Sequence, residues 1–235
     1  INWGTYVFFN TTHGAFKNRD LRIAVRKGVD LTKVRAAAPN TIAINYPIID
    51  SQITLKNLPT LPEYNHDGCA AKVAEVAGEG KTICINLASV RSGYLPEVAE
   101  VFAEELRGLG FDVNLSIYEE NQDFLSNIIS KSSYDILIYD IELGSDPDPL
   151  AYYHSSQNSA SGLNLSNYHN ALVDDLLIGA RETMDSDLRA KKYESFISYW
   201  ANDIPSMALF QSNLTYIYNK NVRAFDDNVR LSSPL

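Results

Sequence analysis

The chain has 235 residues and a formal net charge of −9, with 45% of its residues hydrophobic and 21% charged. Those values describe an ordinary globular protein able to bury a real core. The acidic balance argues against nucleic acid as a partner, since phosphate binding needs clustered Lys and Arg. No uninterrupted apolar run approaches the roughly 20 residues that cross a bilayer.

The opening, INWGTYVFFN, lacks the basic segment and apolar core of a signal peptide. It reads instead as a strand, Gly4 to Asn10, and suggests a piece of a larger protein. Asn18 can cap a helix through Leu21, Ala24 and Val25 to about Val29. From Ala36 to Tyr64 four prolines interrupt any period, so the segment reads as irregular, with one short strand near Thr41 to Asn45. A connection that long needs a reason, and ligand or domain contact is the usual one.

The pattern then becomes regular. Asp67 to Ala77 reads as a helix and Lys81 to Ser89 as a strand. Leu95, Val98, Ala99, Phe102, Leu106 and Leu109 form one helical face, with Pro96 in the first turn and Gly110 past the end. Phe111, Val113, Leu115 and Ile117 alternate as a strand does, and Phe124 to Ile129 marks another helix. The next strand, Ile136 to Tyr139, lies between Asp135 and Asp140 and runs into a turn-rich loop, Gly144 to Pro149. This order, βαβαβ, predicts an α/β fold with a central mixed, largely parallel sheet flanked by helices. Ligands in such sheets lie beyond the carboxyl ends of the strands, which makes Tyr134 to Leu150 the expected wall of a site.

A helical turn with Tyr152 and Tyr153 follows, and then two helices. Leu172, Val173, Leu176, Leu177 and Ala180 line the first. Leu188, Tyr193, Phe196, Ile197 and Trp200 line the second, with Asp185 or Ser186 as its cap. Met207 to Gln211 and Leu214 to Asn219 read as a closing pair of strands. No repeat or interior boundary appears, so residues 1–235 form one lobe.

Chemistry of the common catalytic kinds is missing from the sequence. There is no GxGxxG or GxxxxGK[ST] phosphate loop and no GxSxG elbow. His13, His66, His154 and His169 share no metal-ligand spacing. Asp140, Glu142, Asp146 and Asp148 invite comparison with paired catalytic carboxylates or a calcium loop, but the spacing lacks the central Gly and terminal Glu of the latter. Aspartates that hydrogen-bond their own loop backbone are the simpler reading. Cys69 and Cys84 permit a disulfide or two thiols. Four Asn-x-Ser/Thr triplets, at Asn10, Asn114, Asn164 and Asn213, are compatible with an exported protein and imply nothing more.

Several stretches resemble the family 5 extracytoplasmic solute-binding proteins of ABC importers, the peptide/dipeptide/nickel class. YVFFNTT with FKNRDLRIAVRKGVD is similar to that family's strand and "vRqAlnyAid" helix. YNHDGCAAKVAEVAG resembles its "Yd…AkkLLaeAG" helix, and YDILIYDIELGSDPDPL its "yDl…gW…D…DP" strand and loop. The run from GLNLSNYHN to IPSMALF follows its "gNysgYsnpevDkLldeA…Rk.lY" pattern. The resemblance covers nearly the whole chain as the C-terminal lobe, domain III.

It implies a periplasmic-binding-protein-like lobe that holds a peptide or peptide-like solute against a missing N-terminal lobe. It further implies an extracytoplasmic location, delivery to an ABC permease, and no catalysis or cofactor. Alternatives are an interaction or adhesion domain derived from the fold, and an enzyme using the acidic loop 140–148.

Residue by residue, the resemblance places an arginine for the ligand carboxylate at Arg91 and the cleft asparagine at Asn164. Its aromatic "gW" region falls on Tyr139-Asp140. Its amine-binding aspartate falls on Leu143, with Asp140 and Glu142 near enough to substitute. Gly144 and Asp146 continue the wall, and Tyr152 and Tyr153 either form its aromatic part or pack helices.

Overall fold

The computed structural model describes residues 3–213. A six-stranded mixed sheet runs through it in the order β2-β6-β1-β5-β3-β4. The strands are β1 (Trp3–Phe9), β2 (Thr41–Ala43), β3 (Ile83–Val90), β4 (Phe111–Tyr118), β5 (Ile136–Glu142) and β6 (Ser206–Ser212). The βαβαβ run supplies the parallel part, with β3 pairing β4 over Ile83–Val90 and β5 at Leu87–Ile136 and Ala88–Leu137. The parallel sense stops there. β1 is antiparallel to both β5 and β6, with Tyr6 opposite Tyr139 and a bulge at Thr5/Tyr6 on the β6 side, and β2 is antiparallel to β6. An unbroken run of buried residues, Gly4 to Phe9, suits a strand covered on both faces and paired at both edges.

The helices begin where the sequence offers caps. Asn18 Oδ1 accepts from the Asp20 amide to start α1 (Arg19–Gly28), and Asn65 Oδ1 accepts from Gly68 to start α3 (His66–Ala77). Between them lies a short helix absent from the sequence reading, α2 (Leu31–Ala36), capped by Asp30. α4 (Leu95–Gly108) carries Pro96 in its first turn and is followed by Gly110 at φ +96°. α5 (Gln122–Phe124) continues as a π-helical turn, Leu125–Ile129. The main core joins the sheet to α1–α4.

A second core is built on α7 (Ala171–Glu182) and α8 (Ser186–Asp203), with Tyr153 of the short α6 (Leu150–Tyr153) inside it. Asp185 caps α8, accepting from the Asp187 and Leu188 amides. This core explains the long irregular segment. Ile48 is buried in it, and Tyr46, Ile53, Leu55, Leu58 and Leu61 pack against it. The Glu194 carboxylate fastens the same segment, accepting from the Lys56 and Asn57 amides at 2.7 and 2.9 Å and from Asn57 Nδ2 at 2.9 Å. Leu172 and Leu188, expected on the apolar faces, are instead 56% and 52% exposed. Both sit in the first turns of their helices. The expected strand Leu214 to Asn219 lies outside the described residues.

Cys69 is buried, Cys84 is exposed, and both are free thiols. No described helix is long and apolar enough to cross a membrane.

Candidate functional site

The carboxyl ends of β3, β4 and β5 bring together residues far apart in sequence. The Arg91 amide, just past β3, donates to Tyr118 O at 2.8 Å, which sets Arg91 beside the end of β4. Its Nε meets Glu119 Oε1 at 2.9 Å, with both side chains more than 60% exposed. An ion pair so exposed is weak, so a ligand carboxylate can replace Glu119 at modest cost. The next residue, Glu120, accepts a hydrogen bond from the Tyr139 hydroxyl of β5. Burial, and then the Glu120 carboxylate, push that hydroxyl above the usual phenol range. The Tyr139 ring packs 5.9 Å from Phe124, itself 5.7 Å from Tyr118.

Successive strand residues point to opposite faces, and Asp140 accordingly turns to β1, where Thr5 Oγ1 donates to it at 2.5 Å. Burial raises the Asp140 carboxyl above the ordinary range, Thr5 opposes that, and nearby Glu120 adds to it. Arg91 thus faces Glu119, while the Glu120 and Asp140 carboxylates act on each other near the same strand ends, an acidic field suited to an ammonium group.

The loop after β5 behaves differently from its sequence. Leu143 is buried in the main core at 8% exposure, and its carbonyl accepts from Gln52 Nε2 at 2.5 Å. Gly144 turns the chain at φ +66°, a conformation that suits glycine. Asp146 is held by both guanidinium arms of Arg189, at 2.7 and 2.6 Å, and Asp148 by Arg181 at 2.5 Å. The Tyr193 hydroxyl donates to Pro147 O between them. The acidic loop is therefore a fastening to α7 and α8, not a free carboxylate pair.

Hydrogen bonding from Arg189 holds the Asp146 carboxyl below the usual range. A depressed carboxylate contributes stability that is complete above its unfolded value, about pH 4, and is lost as pH falls through the folded value. Asp146→Asn should then cost about 1 kcal/mol or less at pH 7, because Asp146 is 64% exposed. Urea denaturation at pH 7 and pH 3 checks this: the difference between the two proteins is largest at pH 7 and shrinks at pH 3.

The remaining candidates divide. Glu142 is exposed, and its carbonyl accepts from the Tyr152 hydroxyl at 2.7 Å, which seats Tyr152 against the end of β5. Asn164 is buried, with Nδ2 donating to His154 O and Tyr168 O and Oδ1 accepting from the Tyr168 amide. Its amide organises the 154–168 turn. The structure therefore gathers Arg91 and Tyr139 at one edge, sets Glu142 and Tyr152 beside it, and engages Leu143, Asp146 and Asn164 internally. Sequence reasoning missed Glu119, Glu120 and Thr5. The two glutamates follow β4 directly, so the rule that singled out the end of β5 applies to them equally.

Sheet order, flanking helices and this polar edge place the chain among periplasmic-binding-protein-like α/β lobes. A family model for bacterial extracellular solute-binding proteins, family 5 middle, matches residues 1–164, and the chain belongs to that family. It is similar, at 23% identity over 243 residues, to the oligopeptide-binding protein AppA of Bacillus subtilis (strain 168), over 94% of this chain and 43% of the relative. The structure of that protein with a nonapeptide superposes with a TM-score of 0.77 at 22% identity, covering 89% of this chain and 45% of the other. NikZ of Campylobacter jejuni, solved with Ni(L-His), gives 0.78 at 18% identity over 90% and 45%. A dipeptide-binding protein of Pseudoalteromonas sp. SM9913, solved with Met-Leu, gives 0.75 at 24% identity over 89% and 43%. The chain spans less than half the length of each.

Proposed function

We propose that the chain is one lobe of an extracytoplasmic solute-binding protein, non-catalytic, whose β3-β4-β5 edge forms one wall of a cleft for a peptide or peptide-like solute. A second lobe closes over the solute, and an ABC permease receives it; closure is a population shift driven by contacts made only when both walls are engaged. The observation that carries this reading is the set of polar groups at the carboxyl ends of β3, β4 and β5: Arg91 with Glu119, Tyr139 with Glu120, and Asp140 in the field of Glu120. A zwitterionic solute matches it, with its ammonium toward Glu120 and Asp140 and its carboxylate toward Arg91. Glu142 and Tyr152 flank that wall, while Leu143, Gly144, Asp146 and Asn164 hold its shape.

Calorimetric titration of the purified chain with the dipeptide Met-Leu tests the proposal. Binding should be weak, in the millimolar range, because half of the contacts belong to the other lobe. Glu120→Gln combined with Asp140→Asn should weaken it roughly tenfold, and acetylating the dipeptide amine should do the same. Nanomolar binding by the isolated chain would contradict the half-site reading, and indifference to acetylation would remove the assigned role of the carboxylates.

A further inference from the structure

One margin of the sheet is β4, paired with β3 on one side and with no strand on the other among the described residues. In a parallel ladder each residue aims its amide and carbonyl to the same side, and the side alternates along the strand. The Tyr118 carbonyl faces β3, since it accepts from the Arg91 amide at 2.8 Å. By alternation, the amides and carbonyls of Val113, Leu115 and Ile117 face outward. The Val113 carbonyl bears this out, because it accepts from the Arg107 guanidinium of α4 at 3.1 Å. The four outward groups of Leu115 and Ile117 have no hydrogen-bond partner among the described residues, and neither residue is buried.

Unpaired strand edges attract further strands, and proteins blunt them with charges, prolines or bulges. Here the blunting is partial. Arg107 guards only the Val113 carbonyl, and the eight-residue strand has no proline and an unbroken register with β3. Opposite charges stand toward its two ends, Arg107 at the start and Glu119 just past the finish. An edge so arranged is complementary to itself when a second copy runs antiparallel to it.

We propose that β4 is a docking edge for a second copy of this chain, the two strands antiparallel about a two-fold axis at Ser116. Leu115 of each copy then faces Ile117 of the other, and their outward groups form four hydrogen bonds without displacing Arg107. Val113 comes opposite Glu119 of the other copy, which sets Arg107 beside a carboxylate. Arg107 is exposed, and Glu119 is engaged only in the weak, exposed pair with Arg91. Asp112 and Glu120, opposed in that register, each turn back toward their own sheet, Asp112 to the Cys84 thiol and Glu120 to the Tyr139 hydroxyl. The pairing follows from the geometry of β4 and holds whatever solute the strand ends take.

One paired edge buries little surface and each chain carries a net charge of −9, so the dimer is weak. Sedimentation equilibrium of the purified chain at physiological salt, from micromolar to millimolar protein, tests it. The average mass should rise with concentration and level off at two chains. Ile117→Pro removes an outward amide and spares the β3 ladder, because proline is tolerated where the N–H faces away from the sheet. It should raise the dissociation constant about tenfold. Arg107→Glu should raise it roughly fivefold, and adding Glu119→Arg should restore it. A single-chain mass up to millimolar concentration overturns the proposal, as does a dimer indifferent to both variants or growth past two chains. Failure of the charge exchange to restore pairing overturns the register. If Ile117→Pro fails to fold, the Arg107→Glu and Glu119→Arg series, on two exposed side chains, decides alone.

Discussion

Trp200→Ala should destabilise the protein by about 3–5 kcal/mol, the range for emptying a large aromatic from a packed core. Trp200 is 2% exposed and lies 6.4 Å, ring to ring, from Tyr46 of the irregular segment. Its loss opens a cavity where α8 meets that segment. It also removes a hydrogen bond, since the indole donates to Ser206 Oγ at 2.9 Å. Ser206 in turn bonds the Tyr153 hydroxyl at 2.8 Å, and the Tyr153 ring lies 5.4 Å from Phe196. One side chain thus ties α8, β6, α6 and residues 44–61 together. Urea denaturation followed by circular dichroism gives the number, and a loss below about 1 kcal/mol would show that the second core closes without it.

Arg22→Met should cost about 2–4 kcal/mol by the same measurement, through lost hydrogen bonds rather than lost volume. The guanidinium donates to Phe16 O at 2.7 Å, Lys17 O at 3.3 Å, Asp203 O at 2.7 and 2.9 Å, and Ile204 O at 3.1 Å. Methionine keeps much of the stem and its packing, so those carbonyls are what the substitution strands. Ile204 ends α8 at φ +50°, a left-handed conformation unfavourable for a β-branched residue. Arg22 holds the carbonyls on either side of the Ile204 Cα and so pins that strained turn. Arg22→Lys should rescue little, because an ammonium cannot reach several carbonyls with fixed fork geometry. Full stability in the lysine variant would mean that charge alone suffices.

Much of the fold was legible in the sequence because local chemistry determines it. Asn18 and Asp185, both expected as caps, each start the helix that follows. The βαβαβ run shows its periods plainly and delivers the parallel half of the sheet. α2 escaped because six residues are too few to establish a period. The place of β1 escaped as well, since nothing in GTYVFFN says that its neighbours are β5 and β6.

The site divides along the same line. The end of β5 was visible as an edge, but the fate of its acids was not. Asp146 and Asp148 look available until Arg189 and Arg181, 43 and 33 residues further on, fold back onto them. Leu143, in the position where the resemblance expects an amine-binding aspartate, turns into the core. The carboxylates found at this edge are Glu119 and Glu120, just past β4, and Asp140 of β5 itself, neighbours only because of the sheet order.

The central position of β1 carries a kinetic consequence. Thr5 and Asp140, hydrogen-bonded across β1 and β5, are separated by 135 residues of chain. Closing so long a loop costs entropy before any ladder contact rewards it. The βαβαβ segment is held by contacts nearer in sequence and carries a smaller penalty. The middle of this sheet is therefore its high-contact-order part, and topology of this kind goes with slow folding and with apolar strand edges left unpaired along the way.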